Sequence, residues 1–458
     1  MEIKKEYLKI DKIDGPLIFV SGIEKAFYGE IVEISVENET RTGKVIKIEN
    51  DTVVIQVFEG TSGLSNHNAS IYFTGKAFEL NLNESILGRK FNGVGDPIDD
   101  GGEIYSEKSY NINGRPINPV AREYPKNYIQ TGISSIDVLS TLIRGQKLPI
   151  FSTNGIKHNE LADQIVRQAN ISEKKGQKFA VVFAAIGVKY DDALFFQKSF
   201  SQSSASEKVV MYVNLANDPI VERLSTPKCA LTAAEYLAFE KQYHVLVVMT
   251  DITSYCEALR EISSSREEIP SRKGYPGYLY SDLASLYERA GMLKDRVGSI
   301  TLLPILTMPN NDISHPIPDL TGYITEGQVV LSKELSRQNI YPAVDILPSL
   351  SRLMKDGIGE GFTRKDHPDL ANQLFAIYSK VKEIRELAQI IGENDLTEID
   401  QKYIEFGNKF EQKFLNQSND ELRELEESLD LGWKLLSILP KSELNRLNKD
   451  LLDKHYIE

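Results

Sequence analysis

Leu148-Pro-Ile-Phe-Ser-Thr-Asn-Gly-Ile-Lys-His-Asn-Glu-Leu-Ala162 has the layout of a phosphate-binding loop but lacks the residues that make one work. An apolar strand runs into a glycine-containing turn, and an amphipathic helix follows. A working loop reads G-x-x-x-x-G-K-[ST]. Its backbone N–H groups cradle phosphates, its lysine reaches the terminal phosphates and its hydroxyl binds magnesium. On that template Ser152 replaces the first glycine and Lys157 the second, with only Gly155 between them. His158 stands where the lysine belongs and Asn159 where the hydroxyl belongs. Lys157 is one position off and points elsewhere on such a loop. The loop is therefore expected not to bind phosphate, and a nucleotide-type scaffold without it reads as a partner rather than an engine.

Three other places could carry chemistry. Val245-Leu-Val-Val-Met-Thr-Asp251 ends on an acid, as a magnesium-binding strand does in phosphate-loop enzymes. With the loop defective, Asp251 reads better as the cap of a helix from Thr253 onward. Hydrolysis also needs a carboxylate or amide to orient the attacking water. The second core strand exits through Gly187-Val188-Lys189, and Val188 can do neither; Asp191 and Asp192 lie farther on and read as a helix start. The third place is Tyr341-Pro-Ala-Val-Asp-Ile-Leu-Pro-Ser-Leu-Ser-Arg352. Its prolines and serines predict a short rigid turn beyond the last core strands, a suitable mount for an arginine that must reach a transferring phosphoryl group. Taken alone, Arg352 reads better as a surface ion pair with Asp345 or Asp356.

Positioning such groups requires a scaffold, and the chain changes grammar twice. Over about residues 1–75, alternation such as Val32, Ile34, Val36 and Val53, Ile55, Val57, with turns between, predicts a small antiparallel β-barrel. A Gly/Asp/Pro/Asn-rich connection follows, from Asn92 to Pro119. Apolar runs at Leu148–Phe151, Phe179–Ala185, Val209–Val213, Val245–Met249 and Ile300–Leu306 then alternate with helical patterns, two of them at Leu231–Gln242 and Ser254–Ser264. Such runs imply a parallel sheet covered on both faces, within an α/β domain over 76–355. Beyond Asp356 the strands stop. Leu370, Leu374, Ile377, Val381, Ile384, Leu387 and Ile391 recur at helical spacing, Leu422–Leu439 continues in kind, and 356–458 reads as a helical domain.

Composition narrows the function classes. The 53 basic and 66 acidic residues give a formal charge of −13, which argues against non-specific binding to nucleic acid or an anionic membrane. Two cysteines, Cys229 and Cys256, stand without a C-x-x-C pairing, and His67, His158, His244 and His367 do not cluster, so no metal site is expected. The charged opening Met1-Glu-Ile-Lys-Lys-Glu predicts no secretory leader, and no apolar stretch approaches a membrane span. A cytoplasmic protein is expected, which leaves attachment to a membrane complex open.

Taken together these segments resemble the non-catalytic B subunit of V-type (vacuolar and archaeal-type) rotary ATPases. The resemblance spans nearly the whole chain and rests on Phe58-Glu-Gly-Thr-Ser-Gly-Leu, Thr131-Gly-Ile-Ser-Ser-Ile-Asp, Arg144-Gly-Gln-Lys-Leu-Pro-Ile-Phe and Glu257-Ala-Leu-Arg-Glu-Ile-Ser. It continues through Gly274-Tyr-Pro-Gly-Tyr-Leu-Tyr, Asp319-Leu-Thr-Gly-Tyr-Ile-Thr-Glu-Gly-Gln and the signature Pro342-Ala-Val-Asp-Ile-Leu-Pro-Ser-Leu-Ser351. It implies a ring of three catalytic A-type and three non-catalytic subunits around a rotor shaft, with a peripheral stator stalk, coupling ATP hydrolysis or synthesis to H⁺ or Na⁺ transport on the inner face of the cell membrane. ATP or ADP with Mg²⁺ would be held mainly by the catalytic partner. Arg352 would enter that site in trans as an arginine finger, with Ser351 and Thr321 lining the interface.

The loop 152–159 has less glycine than the family's non-catalytic version and lacks its proline, so no functional nucleotide site is expected there. Two other readings stand beside this one: a pure scaffold with a silent Arg352, and an autonomous NTPase using Lys157 as a displaced phosphate lysine. The related F-type non-catalytic subunit usually keeps an intact phosphate loop.

Overall fold

Strand alternation in the first eighty residues puts one side of each strand into a common interior. In Glu30–Val36, Val32, Ile34 and Val36 are buried while Ile31, Glu33 and Ser35 are only half-buried. The seven-stranded antiparallel sheet has the order Glu6–Tyr7, Ala69–Ala77, Glu30–Val36, Glu39–Glu49, Thr52–Val57, Leu17–Val20, Lys12–Asp14. It wraps one core that includes Ile18, Val45, Ile55 and Ile71. This computed structural model describes residues 6–7, 10–23, 25–36, 39–49, 51–65, 68–171, 177–266, 268–392 and 395–457; His67 lies outside them.

The central sheet contains β1 (Lys90–Asn92), β2 (Ile150–Ser152), β3 (Lys178–Val188), β4 (Val209–Leu215), β5 (Tyr243–Thr250), β6 (Ser299–Thr307), β7 (Gly327–Leu331) and β8 (Val344–Ser351). Their order is β8-β7-β2-β6-β5-β3-β4-β1, with a short Gly291–Met292 strand beside β6. The strands from β7 to β1 run parallel, while β8 turns back antiparallel to β7 and the short Gly291–Met292 strand lies antiparallel to β6. The all-apolar runs are explained by burial on both faces. The helices around them are α1 (Ser134–Leu139), α2 (His158–Gln168), α3 (Tyr190–Gln202), α4 (Ile220–Glu235), α5 (Ile252–Ser265) and α6 (Pro316–Ile324).

Two expectations need correcting here. The polar connection after the barrel is not only a linker, because Ser109–Asn111 within it pairs antiparallel with Glu79–Asn81. The helix expected at Leu231–Gln242 begins eleven residues earlier, at Ile220, and closes in a π-turn over Tyr236–Glu240. Pro227 inside it normally costs about 3 kcal/mol by removing an N–H and crowding the preceding turn. Val221, Cys229, Ala230, Leu231, Ala233 and Ala234 are all buried, and that burial outweighs the proline.

The three-part architecture expected from sequence is borne out, with α7 (His367–Ile391), α8 (Glu398–Lys409) and α9 (Leu425–Leu436) forming the helical part. Leu370, Leu374, Ile377, Val381 and Ile384 pack inward from α7, whereas Leu387 is exposed. Phe406, Phe410 and Phe414 stack in series with ring centroids 5.5 and 4.9 Å apart.

At the start of α7, His367 is fully buried and must be neutral. Its Nε2–H donates to the Val138 carbonyl at 2.9 Å, and Nδ1 accepts from the Thr363 hydroxyl at 3.1 Å. Burial holds its imidazole down at about 4. The unfolded chain therefore takes up this proton at higher pH than the folded one. The stabilisation is fully present above about pH 6.5 and is lost as pH falls toward 4, about 3 kcal/mol from this group. His367→Gln, which keeps an N–H for Val138, is expected to flatten the fall in thermal midpoint between pH 7 and pH 4.5. An unchanged slope in that variant would assign the acid lability elsewhere, His244 being the other histidine that burial holds near 4.

Candidate functional site: a closed phosphate loop and a free arginine on opposite edges of one sheet

The loop after β2 is folded on itself. The Ser152 hydroxyl meets Nδ1 of His158 at 3.1 Å, and that nitrogen also faces the Ile156 carbonyl at 3.1 Å. The Ile156 N–H donates to the Thr153 carbonyl at 3.2 Å and the His158 N–H to the Ile156 carbonyl at 2.9 Å. Gly155 adopts φ +86°, which lets the turn close. The Ile156 and His158 amides and the imidazole are thus engaged within the turn. Lys157 caps α2 without a side-chain bond to it and reaches solvent beside a cavity of about 110 Å³ walled by Tyr341 and Pro342. Asn159 sits in the first turn of α2. The residues present do not fit a nucleotide phosphate.

Asp251 is the N-cap of α5. Its Oδ1 accepts the Thr253 N–H at 2.8 Å and the Thr307 N–H at 3.2 Å, and its Oδ2 accepts the Thr307 hydroxyl at 2.6 Å. Val188 is buried at the end of β3, and Asp191 and Asp192 open α3. Among the described residues, no three His, Cys, Asp or Glu side chains gather as a metal would need.

Arg352 is placed differently from the sequence expectation. Its mount is not a turn: Val344–Ser351 is a strand, with a register shift between Gln328 and Val330 of its partner. The shift absorbs the irregularity that Pro348 brings to an edge strand. Ser351 pairs with Gly327, and the Arg352 N–H donates to the Glu326 carbonyl at 3.0 Å. The arginine therefore leaves the sheet at the amino edge of the parallel strands, level with Lys147. The loop leaves at the carboxyl edge after Ser152, five residues or about 16 Å of strand away. Arg352 is exposed, and among the described residues no acid pairs with it. Asp356 instead accepts from the Tyr124 hydroxyl at 2.8 Å, and Asp345 from the Leu347 N–H at 3.4 Å, so the expected ion pairs do not form.

Ser351 and Thr321, expected at an interface, face the interior. The Ser351 hydroxyl donates to the Thr141 carbonyl at 2.8 Å, and Thr321 is wholly buried on α6 with its hydroxyl 3.5 Å from that of Tyr287. Strand alternation forces this: once Leu350 points to solvent, Ser351 must point in.

Thr131-Gly-Ile-Ser-Ser-Ile-Asp137 touches no open surface either. Asp137 accepts from the Thr131 N–H and hydroxyl and the Gly132 N–H at 2.7–2.9 Å. Burial pushes its carboxyl up to about 7, and those donors pull the other way. Gln417 then joins this turn to the helical part, accepting the Ser134 N–H at 2.8 Å and donating to the Gly132 carbonyl at 3.0 Å. Sequence reading missed Gln417, since a lone glutamine carries no pattern.

A barrel, a parallel α/β sheet with a loop at its carboxyl edge, and a helical tail are the build of an ATP synthase α/β-type head subunit. Residues 10–75 match the ATP synthase alpha/beta family, beta-barrel domain; 132–351 the nucleotide-binding domain of that family; and 356–456 the C-terminal domain of V and A type ATP synthase. A V-type ATP synthase beta chain 2 from Clostridium tetani is 64% identical over 456 residues, covering 99% of each chain. A V-type ATP synthase beta chain from Halothermothrix orenii is 58% identical, covering 99% of this chain and 98% of that one. The solved ATP synthase subunit NeqB of Nanoarchaeum equitans superposes with a TM-score of 0.74 at 42% identity, covering 92% of this chain and 98% of that one. The chain belongs to the V-type ATP synthase beta chain family, as a non-catalytic subunit of the head. Among the described residues, no helix is long and apolar enough to cross a membrane.

Proposed function

We propose that this chain alternates with catalytic A-type subunits in a three-plus-three ring and supplies Arg352 in trans to the neighbour's ATP site. The observation that carries the reading is an exposed arginine without an acid partner among the described residues, on a strand end that faces away from its own closed loop. An arginine held by backbone pairing reaches a neighbouring phosphoryl group with little loss of freedom, and its planar fork matches the equatorial oxygens. ATP or ADP with Mg²⁺ would be held mainly by the catalytic partner, where the metal would supply positive charge to the phosphates. In this arrangement the barrel joins the crown of the ring, the helical part faces the rotor shaft, a peripheral stator stalk holds the head, and the assembly sits on the inner face of the cell membrane, coupling ATP to H⁺ or Na⁺ movement.

Turnover of a reconstituted ring carrying Arg352→Ala tests the finger. A second measurement tests the loop. Calorimetric titration of the isolated chain with magnesium-ATP is expected to give no saturable heat, because the loop lacks the lysine and hydroxyl of a phosphate loop and its Ile156 and His158 amides are bonded within the turn. Saturable binding that disappears in Lys157→Ala would restore the loop as a nucleotide site.

A further inference from the structure

We propose that Gln146 and Lys147 are positioning residues that hold Arg352 at the neighbour's phosphates; this inference rests on the reading of Arg352 as a finger. They belong to Arg144-Gly-Gln-Lys147, on the lead into β2 at the same sheet edge as the arginine. Gln146 is wholly buried. Its Nε2 donates to the Ser351 hydroxyl at 2.9 Å and to the Glu326 carbonyl at 3.1 Å, and its Oε1 accepts the Ile143 N–H at 3.0 Å. The Glu326 carbonyl is the same oxygen that accepts the Arg352 N–H. One side-chain amide thus ties the residue before the finger to the acceptor of the finger's own peptide.

Lys147 secures the other half of the socket. Its side chain is 3% exposed, and Nζ bridges Glu326 at 2.8 Å and Glu288 at 3.0 Å. The Lys147 N–H donates to the second Glu326 oxygen at 2.8 Å, and the Glu326 N–H returns to the Lys147 carbonyl at 3.1 Å. Arg122 holds Glu288 from the far side at 2.5 Å. A satisfied buried polar network gains directional certainty rather than much net stability over an apolar filling of the same shape. Here Gln146 reaches the carbonyl that receives the Arg352 N–H, and Lys147 holds Glu326, the residue that carries that carbonyl. Its guanidinium lies several bonds beyond that peptide, so a small tilt of the strand end becomes a shift of an ångström or more at the phosphate, enough to cost up to about 100-fold in rate.

The test uses the ring reconstituted with its catalytic partner. Gln146→Met keeps the volume and removes both donors; Ser351→Ala removes one hydroxyl and tests the same tie if Gln146→Met fails to assemble. Lys147→Met removes the charge, and Lys147→Arg is the conservative rescue. Gln146→Met is expected to lower kcat about 10- to 100-fold, and Ser351→Ala about 3- to 10-fold, with KM and ring assembly within two-fold of the parent. Retention of MgADP with aluminium fluoride, which imitates the phosphoryl in transit, is expected to fall in parallel while MgADP binding alone holds. Lys147→Arg should recover most of what Lys147→Met loses. Parent-like kcat and fluoride trapping in Gln146→Met and Ser351→Ala, with Arg352→Ala inactive in the same preparation, would overturn the socket and leave the finger standing. Near-normal turnover in Arg352→Ala would instead remove the finger and the socket with it.

Discussion

Arg352→Ala is expected to lower ATP turnover of the assembled ring by about 10³- to 10⁵-fold, the range that an arginine supplied in trans contributes to phosphoryl transfer. The loss should fall on kcat. The residue meets charge that develops as the phosphoryl group moves, and little of that charge is present in bound ATP. The chain itself should fold as before, since the guanidinium is exposed and makes no ion pair among the described residues. Arg352→Lys should recover only part of the rate, because an ammonium presents a point charge where a planar fork is needed. Steady-state hydrolysis, with ring assembly checked by size, decides it. Turnover within a few-fold of the parent would leave this subunit as a spacer between catalytic neighbours.

The second large effect concerns stability and arises away from the arginine finger. Arg289→Met is expected to destabilise the central part by about 3–5 kcal/mol, the cost of breaking a buried ion pair from one side. Arg289 is completely buried. Its Nε and one terminal nitrogen grip the two Glu235 oxygens, each at 2.7 Å, while the Ile112 carbonyl at 2.9 Å and the Thr232 hydroxyl at 2.8 Å take other donors. One guanidinium therefore fastens the end of α4 to the connection after the barrel. The connection passes so close that a Cβ at Gly114, where φ is +55°, would strike it. Removing Arg289 leaves Glu235 without its partner and takes from the Ile112 carbonyl its closer donor, the Thr232 hydroxyl at 3.3 Å remaining. A fall in thermal midpoint on the order of 10 °C is expected for a domain of this size. The double variant Arg289→Met, Glu235→Leu should recover part of it, since no charge is then left behind. A midpoint within 2 °C of the parent in Arg289→Met would show that this contact contributes nothing measurable.

Fold class was legible because periodicity is a local property. Alternating Val32, Ile34 and Val36, the all-apolar Val245–Met249 and the helical spacing of Leu370, Leu374, Ile377 and Val381 each state how many faces of an element meet the core. Helix limits were less legible where burial overrode a local signal, as at Pro227. The loop's lack of the usual glycine, lysine and hydroxyl was also readable, since those are required as residue types wherever the chain lies. The contact of His158 with Ser152 was not readable, because it depends on the closure of the turn.

Residue identity by itself determined that an arginine follows the S-x-S signature and that the loop lacks its chemistry. Only the tertiary structure decided that these two features leave opposite edges of one sheet. That separation follows from the reversed direction of β8 alone, and strand direction is set by which neighbour completes the backbone hydrogen bonds, a long-range choice that no short window of residues encodes. The reversal also carried Ser351 to Gln146, while strand alternation turned Ser351 inward and the parallel pairing of β2 with β7 set Lys147 beside Glu326.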